Sequence, residues 1–242
     1  MYKGCYEIVE NTPVARAVYR MRLLGDTTAL TAPGQFVNIQ LPGFYLRRPI
    51  SVANWDSEGM VLLYKVVGQG TEAMSRMAAG EQLDLLVGLG NGFDASKGDK
   101  PLLIGGGVGT PPLLGLAKAL LGRGVMPQVA LGFATHEDRL LVKDFEAMCC
   151  QVSVALISEN RLVTDLFPEL IPLCDYYYAC GPEPMLRAVH QAIPLNGQLS
   201  FEARMACGFG ACMGCTCKTF AGGKRICTEG PVLFKEEIIW ET

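Results

Sequence analysis

Four cysteines near the end of the chain have a spacing that can hold an iron-sulfur cluster. The pattern is Cys207-x4-Cys212-x2-Cys215-x11-Cys227, and its first three positions match the plant-type ferredoxin arrangement. A 2Fe-2S cluster needs four converging thiolates, so one loop must curl around it while a fourth ligand arrives from elsewhere. Glycines between the ligands allow unusual backbone angles and let N–H groups approach the sulfurs. The spacing therefore predicts a 2Fe-2S centre that passes electrons.

A structural zinc site and a set of buried thiols are the alternatives to a cluster. Zinc sites usually combine two short C-x2-C knuckles, whereas this segment has one knuckle and no neighbouring His. His136 and His190 fall in a predicted loop and a predicted helix, which disfavours paired His ligands of the Rieske type. Cys217 could replace a neighbouring ligand, and the spacing leaves this open. The remaining cysteines, expected to be small buried hydrophobes, are Cys5, Cys149, Cys150, Cys174 and Cys180.

Two earlier segments have the residue types that bind phosphate. Arg47-Arg48-Pro49-Ile50-Ser51 places guanidinium groups beside a rigid proline and a hydroxyl, and an Arg can hold a pyrophosphate through charge-assisted bonds. Gly68-Gln69-Gly70-Thr71 precedes a predicted helix, with Thr71 as its N-cap. A basic surface turn would also explain the first segment. Together the two segments favour a site for a phosphate-bearing cofactor.

Two further segments lie between a predicted strand and a predicted helix. The run Gly105-Gly106-Gly107-Val108-Gly109-Thr110-Pro111-Pro112 can approach a dinucleotide phosphate, although it departs from the G-x-G-x-x-G pattern at Pro112. Cys180-Gly181-Pro182 follows a later strand, at the carboxyl edge where open parallel sheets bind ligands. A tight structural turn remains an alternative for the first run.

Hydrophobic periodicity divides the chain into three units. The first reads as short strands with one helix, which predicts an antiparallel barrel, and the second alternates strands and helices, which predicts a parallel sheet. We expect domains at 1–96, 97–194 and 195–242, the last holding the cluster. The predicted barrel strands are 36–41, 60–67 and 83–87, with a helix at 71–78. In the second unit we predict strands at 101–104, 128–133, 152–157 and 176–179, and helical segments at 111–121, 137–148, 165–170 and 183–193.

Charge and composition exclude several classes of partner. The net charge of -3 provides no basic field for nucleic acid or an anionic membrane. The apolar stretch 101–121 is interrupted by glycines, prolines and Lys118, so we expect a soluble turn and helix rather than a membrane span. The N-terminal residues lack a signal-peptide pattern, and we therefore expect a cytoplasmic protein.

In their order along the chain, these motifs resemble the ferredoxin-NADP reductase superfamily. With Met205-Ala206-Cys207-Gly208-Phe209-Gly210-Ala211-Cys212-Met213-Gly214-Cys215 added, nearly the whole chain resembles the electron transfer subunits of NAD-dependent dihydroorotate dehydrogenase, the PyrK family. The resemblance implies an antiparallel FAD-binding β-barrel, a parallel-sheet nicotinamide-binding α/β domain and a small C-terminal 2Fe-2S subdomain. It also implies flavin contacts at Arg48, Pro49, Ile50, Ser51, Tyr64, Lys65, Val66, Gly70 and Thr71, and nicotinamide contacts at Gly107, Gly109, Cys180 and Gly181.

The resemblance implies an oxidoreductase component of pyrimidine biosynthesis. An FMN-containing dihydroorotate dehydrogenase catalytic subunit would be the partner, in a heterotetramer, and electrons would pass through 2Fe-2S and FAD to NAD. We find no residue arrangement suited to substrate proton abstraction, and so no catalytic residue is predicted in this chain. One alternative is a subunit of another NAD(P)H-linked oxidoreductase, of the ferredoxin:NADP oxidoreductase or sulfhydrogenase type. The other is a colourless, zinc-stabilised binding module.

Overall fold

The computed structural model describes residues 1–240. Its first unit is a closed antiparallel barrel. Alternation explains its interior: Leu83, Leu85 and Val87 of the sixth strand are buried in the barrel core, and the two residues between them are partly exposed. Around the barrel the strands follow the order β1-β2-β5-β4-β3-β6. The elements are β1 (Tyr2–Ala15), β2 (Val18–Leu24), β3 (Phe36–Gln40), β4 (Arg48–Trp55), β5 (Gly59–Lys65), α1 (Gln69–Ser75) and β6 (Gln82–Leu89).

The second unit is a parallel sheet flanked by helices. The strand order β14-β11-β10-β7-β8-β9 reverses direction at β7, because the chain leaves β7 toward β8 and returns to its other side with β10. Only β14 runs antiparallel to its neighbour. The elements are β7 (Pro101–Gly106), α2 (Pro111–Gly122), β8 (Gln128–Phe133), α3 (Val142–Ala147), β9 (Gln151–Leu156), α4 (Phe167–Leu170), β10 (Tyr176–Cys180), α5 (Glu183–Ala192), β11 (Asn196–Ser200), β12 (Thr216–Thr219), β13 (Gly222–Arg225) and β14 (Val232–Phe234).

The cluster segment lies between β11 and β14. Its hairpin, β12 and β13, forms a separate two-stranded sheet. The predicted boundary at 194/195 falls just before β11, so the predicted third domain also supplies two strands of the large sheet. Residues 241 and 242 of that domain lie outside the described residues. Within residues 1–240, no helix has both the length and the apolar character needed to cross a membrane.

Helix α2 joins the barrel to the parallel sheet. Its Leu113, Leu116 and Leu120 are fully buried, in one core with Val61 and Leu63 from the outer face of β5. Fully burying each such leucine is worth about 1.5 to 3 kcal/mol. The approach to the barrel is close, because a Cβ at Gly115 would lie 3.0 Å from the carbonyl oxygen of Ala53. The two units therefore share an apolar core.

The region predicted as a helix over 137–148 is divided into two elements. A 3-10 turn covers His136–Asp138, and α3 begins only at Val142. The carboxylate of Asp138 accepts hydrogen bonds from the N–H (3.1 Å) and hydroxyl (2.7 Å) of Thr135, which closes the turn. Leu141 then adopts a left-handed backbone angle of 61°, which a continuous helix excludes. The predicted helix was therefore too long.

Candidate functional site

Arg48 and Gly70 come together at one end of the barrel, although they are far apart in sequence. Arg48 begins β4, where it pairs with Ile39, and its guanidinium carbon lies 4.8 Å from the centre of the Phe44 ring. A Cβ at Gly70 would lie 2.1 Å from Nε of Arg48, so a side chain at this position would force the guanidinium to move. Pro49, Ile50 and Ser51 continue the strand and are partly exposed. The two predicted phosphate-binding segments thus form one surface.

Thr71 lies in the first turn of α1, and the N-cap is Gly68, so the prediction of Thr71 as the N-cap was wrong. Its hydroxyl accepts a hydrogen bond from the N–H of Val67 (2.9 Å) and donates one to the carbonyl of Gly68 (3.1 Å). The side chain is 8% exposed. Because the hydroxyl is engaged within the loop, Thr71 contributes mainly by shaping the backbone beside Gly70 and Arg48.

Tyr64 points into the barrel. It is 2% exposed, its ring stacks on Tyr19 at 5.8 Å between centres, and its hydroxyl donates to Oδ1 of Asn11 at 2.9 Å. Burial raises the pKa of Tyr64 to about 12. Lys65 and Val66, at the end of β5, are partly exposed. A cofactor bordering this strand would therefore contact the strand backbone, Lys65 and Val66 rather than the ring of Tyr64.

The glycine-rich turn after β7 lies against the end of β10. Cys180 pairs with Gly105 across the parallel strands, and a Cβ at Gly109 would lie 2.5 Å from the carbonyl oxygen of Cys180 and from Gly181. Gly107 has a φ of +52° and nothing within 4 Å of its Cβ position, so open space lies above the turn. This point is also where the strand order reverses, the usual ligand crevice of such sheets.

Met185 was not singled out from the sequence, but it supports this crevice. A Cβ at Gly106 would lie 2.5 Å from its sulfur, and one at Gly181 would lie 2.5 Å from its methyl carbon. The thiol of Cys180 is buried, and burial raises its pKa to about 12. It is therefore neutral near pH 7, and this does not favour a role as nucleophile or metal ligand.

The four predicted cluster ligands lie in two contacting pairs. Cys207 is paired with Cys212, whose N–H donates to its sulfur at 3.5 Å, and Cys215 is paired with Cys227, whose N–H donates at 3.4 Å. Cys215 and Cys227 are buried, and Cys212 is exposed. Within residues 1–240 the side chains do not already form a group of three or more ligands close enough to hold a metal ion.

The backbone around Cys207 suits a thiolate, whereas burial raises the pKa of Cys227 to about 12. Partial burial of Cys207 opposes ionisation, but N–H groups of Phe209, Cys212 and Ala211 outweigh it and lower the pKa of the thiol to about 6. Gly208 and Gly210 have φ values of +75° and +92°, which turns the loop around Cys207. Sulfurs surrounded by N–H donors are what an iron-sulfur cluster requires, so this set fits the group.

Asn38 connects the cluster loop to the barrel. This residue of β3 is 1% exposed, and its amide Nδ2 donates to the carbonyl of Cys207 at 3.1 Å. A Cβ at Gly208 would lie 2.3 Å from the same Nδ2. Across the sheet, Asn38 pairs with Pro49 of the predicted flavin strand. Sequence reasoning missed Asn38, which looks like an ordinary polar residue of a strand.

Comparison with known proteins assigns the chain to a family. Residues 202–239 match a family model described as the iron-sulfur cluster binding domain of dihydroorotate dehydrogenase B. The electron transfer subunit of dihydroorotate dehydrogenase B (NAD(+)) from Geobacillus sp. (strain WCH70) is 37% identical, over 96% of each chain. The subunit of the same name from Fusobacterium nucleatum is 36% identical, also over 96% of each chain. The chain belongs to the family of dihydroorotate dehydrogenase B electron transfer subunits.

Solved structures agree with the fold. A structure of an NADH-dependent reduced ferredoxin-NADP oxidoreductase superposes with a TM-score of 0.87 and 27% identity, covering 97% of this chain and 90% of the other. Phthalate dioxygenase reductase superposes with a TM-score of 0.68 at 13% identity, covering 90% and 87%, and supports the fold alone. The predicted fold class is confirmed. Family membership also confirms the oxidoreductase component and supports FAD, 2Fe-2S and NAD as its cofactors.

Proposed function

We propose that the chain passes electrons from the FMN of a dihydroorotate dehydrogenase catalytic subunit, through a 2Fe-2S cluster and FAD, to NAD. The observation that carries this proposal is the contact of the cluster loop with β3, the strand that pairs with the predicted flavin strand β4. Asn38 donates to the carbonyl of Cys207 and pairs with Pro49 in the neighbouring strand. Two sites for electron carriers are therefore linked through a single residue.

We assign the cluster to Cys207, Cys212, Cys215 and Cys227, and the phosphates of FAD to Arg48 and the Gly70 loop. The nicotinamide cofactor is assigned to the crevice between Gly107 and Gly181. When bound, the cluster exchanges single electrons, and FAD can exchange one or two, which allows hydride transfer with NAD. The predicted three-domain division and heterotetramer remain part of this proposal, and a cytoplasmic location stays a prediction.

Both histidines of the chain make contacts within the parallel-sheet unit. His136 faces Glu159 at 2.9 Å on the surface, and Nε2 of His190 lies 3.1 Å from the carbonyl of Lys235, on the parallel-sheet unit. In the proposed division of labour the partner subunit carries out the pyrimidine chemistry. The exposed side chains of Phe209 and Met213, on the cluster loop, are the surface that we assign to this partner.

Anaerobic purification with an absorption spectrum tests the cofactors. We expect flavin bands over an iron-sulfur envelope, with about two irons per chain. Cys212→Ser should lose the iron-sulfur absorption, whereas the matched control Cys217→Ser should retain it, because Cys217 packs against the apolar core. A colourless protein that holds zinc would overturn the proposal.

Reconstitution with candidate partners tests the electron donor. Mixed with an FMN-containing dihydroorotate dehydrogenase subunit, the chain should form NADH in proportion to the dihydroorotate consumed. The similarity to the ferredoxin-NADP oxidoreductase structure, at a TM-score of 0.87, favours ferredoxin as the second candidate donor. NAD reduction by reduced ferredoxin, with none from dihydroorotate and its dehydrogenase subunit, would establish that alternative instead.

A further inference from the structure

Thr228 carries a buried hydroxyl to which neither the proposed cluster ligands nor the proposed flavin site assigns a role. The residue directly follows Cys227, and its Oγ1 is inaccessible to solvent and makes no hydrogen bond to any described residue. Burying a hydroxyl without a partner costs about 1 to 3 kcal/mol. Such an atom in a folded protein requires an explanation, and an absent ligand is one of the usual ones.

The position of Thr228 is inside the cluster module. A Cβ at Gly210 would lie 2.8 Å from Cγ2 and 3.6 Å from Oγ1 of Thr228, so this side chain lies against the turn of the cysteine loop. The backbone of Gly210 in turn lies close to the sulfur of Cys227. Thr228 therefore lies against a peptide that contacts a ligand sulfur.

The polar groups beside Thr228 are held by Arg225 and make no hydrogen bond to its hydroxyl. The carbonyl of Gly210 accepts from Nη1 of Arg225 at 2.9 Å. The carboxylate of Glu229 accepts from the N–H and Nε of Arg225, at 2.8 and 3.0 Å. The backbone N–H of Thr228 itself donates to the carbonyl of Arg225 at 3.1 Å, which holds the residue in place. The hydroxyl thus has no partner among the described residues, and it belongs to the residue next to the predicted ligand Cys227.

We propose that the Thr228 hydroxyl donates a hydrogen bond to a sulfur of the bound cluster and raises its reduction potential. This inference rests on the proposed function, because it requires a cluster at the four cysteines. One-electron reduction adds one negative charge to the thiolates and their iron centre, and Thr228 keeps its proton throughout. A donor to sulfur stabilises the more negative reduced state more than the oxidised state. Thr228 is thus a positioning and tuning residue.

The test is an anaerobic redox titration of the full chain, followed by the EPR signal of the reduced cluster. Thr228→Val keeps the shape and removes the hydroxyl, so its reduction equilibrium constant should fall about tenfold, or 59 mV. Thr228→Ser should stay near the wild-type value. Thr219→Val is the matched control, since its buried hydroxyl bonds the carbonyl of Gly222 at the far end of the hairpin, and the potential should not change.

The outcomes separate this inference from the proposed function. If wild-type protein holds no iron and sulfide, the proposed function fails. If wild-type and Thr228→Val hold equal iron and have equal potentials, the hydroxyl does not reach the cluster and this inference is overturned. Should the valine variant fail to load iron, Thr228→Ala and Thr228→Ser are compared, and equal potentials in these two overturn the inference as well.

Discussion

At the scale of single residues, the proposed flavin site depends on how Arg48 is held. Its guanidinium lies over the Phe44 ring, donates to the carbonyl of Leu46 and fills the space that Gly70 leaves free. Its neighbour Arg47 is engaged differently, in an ion pair with Asp84 and a bond to the carbonyl of Asn38. Two adjacent arginines thus have separate tasks, since one is directed to the predicted phosphates and the other holds β3, β4 and β6 together.

Arg48→Ala should weaken FAD binding. A hydrogen bond to a charged group contributes about 1.5 to 3 kcal/mol, so the dissociation constant should rise roughly ten- to a hundredfold. Flavin fluorescence during titration of the apoprotein measures this change. Arg22→Ala is the matched control, because Arg22 pairs with Asp56 elsewhere on the barrel at 3.3 Å. Equal losses of affinity in the two variants would contradict the assignment of Arg48.

At the scale of elements, the crevice that we propose for the nicotinamide cofactor is formed by the packing of two strand-to-helix turns. The turn after β7 reaches the end of β10 only because Gly109 lacks a side chain. Met185, from the first turns of α5, packs against Gly106 and Gly181. The crevice therefore depends on contacts between α5, β7 and β10 rather than on one motif.

Gly109→Ala should lower both stability and NAD affinity. The added Cβ would lie 2.5 Å from backbone atoms of Cys180 and Gly181, and such overpacking typically costs about 1 to 3 kcal/mol. Gly122→Ala is the control, since nothing lies within 4 Å of its Cβ position at the end of α2. Urea unfolding and NADH titration measure the two effects. If Gly109→Ala and Gly122→Ala have equal stability and equal NADH affinity, the close approach at Gly109 is not needed to form the crevice.

At the scale of the whole molecule, an ion pair links the barrel to the parallel-sheet unit. Arg16, between β1 and β2, donates to both oxygens of Asp138 at 3.1 and 3.0 Å, and its N–H donates to the carbonyl of Glu137. The hydroxyl of Thr135 lowers the pKa of Asp138; partial burial opposes this, and Arg16 adds to the lowering. Because the pKa of Asp138 is lower in the folded protein than in the unfolded chain, its ionised form stabilises the fold at any pH above the ordinary pKa of an Asp. This stabilisation is lost as the pH falls through the pKa that Asp138 has in the folded protein. A free energy of unfolding measured at pH 7 therefore includes the full stabilisation from ionised Asp138.

A double-mutant cycle with Arg16→Ala and Asp138→Asn tests this link. We expect a coupling free energy of about 1 kcal/mol or less in urea unfolding at pH 7. Because the pair joins two units, its loss should also slow the reduction of bound FAD by NADH in stopped-flow experiments. The pair Arg22 and Asp56 lies within the barrel and is the control. The same slowing in the control variants would show that the ion pair does not set the relative position of the units.

The local patterns of the sequence determined the chemistry and the types of most elements. The cysteine spacing, the arginine and glycine segments, and the alternation of strands and helices are short-range features, and they sufficed to predict a barrel, a parallel sheet and a cluster module. They did not identify β1, which has 14 residues, because Pro13 and two register shifts obscure its alternation. They also overextended the helix before Met148, since the left-handed Leu141 has no signature in composition.

Only the tertiary structure decided which of these segments meet. Asn38 with Cys207, Arg48 with Gly70, and Gly109 with Cys180 are contacts between residues distant in sequence, and strand register and packing bring them together. The orphaned hydroxyl of Thr228 likewise exists only because the loop around Gly210 closes over it. Periodicity reports which face of an element is buried, whereas the partner of that face depends on the free energy of the whole fold.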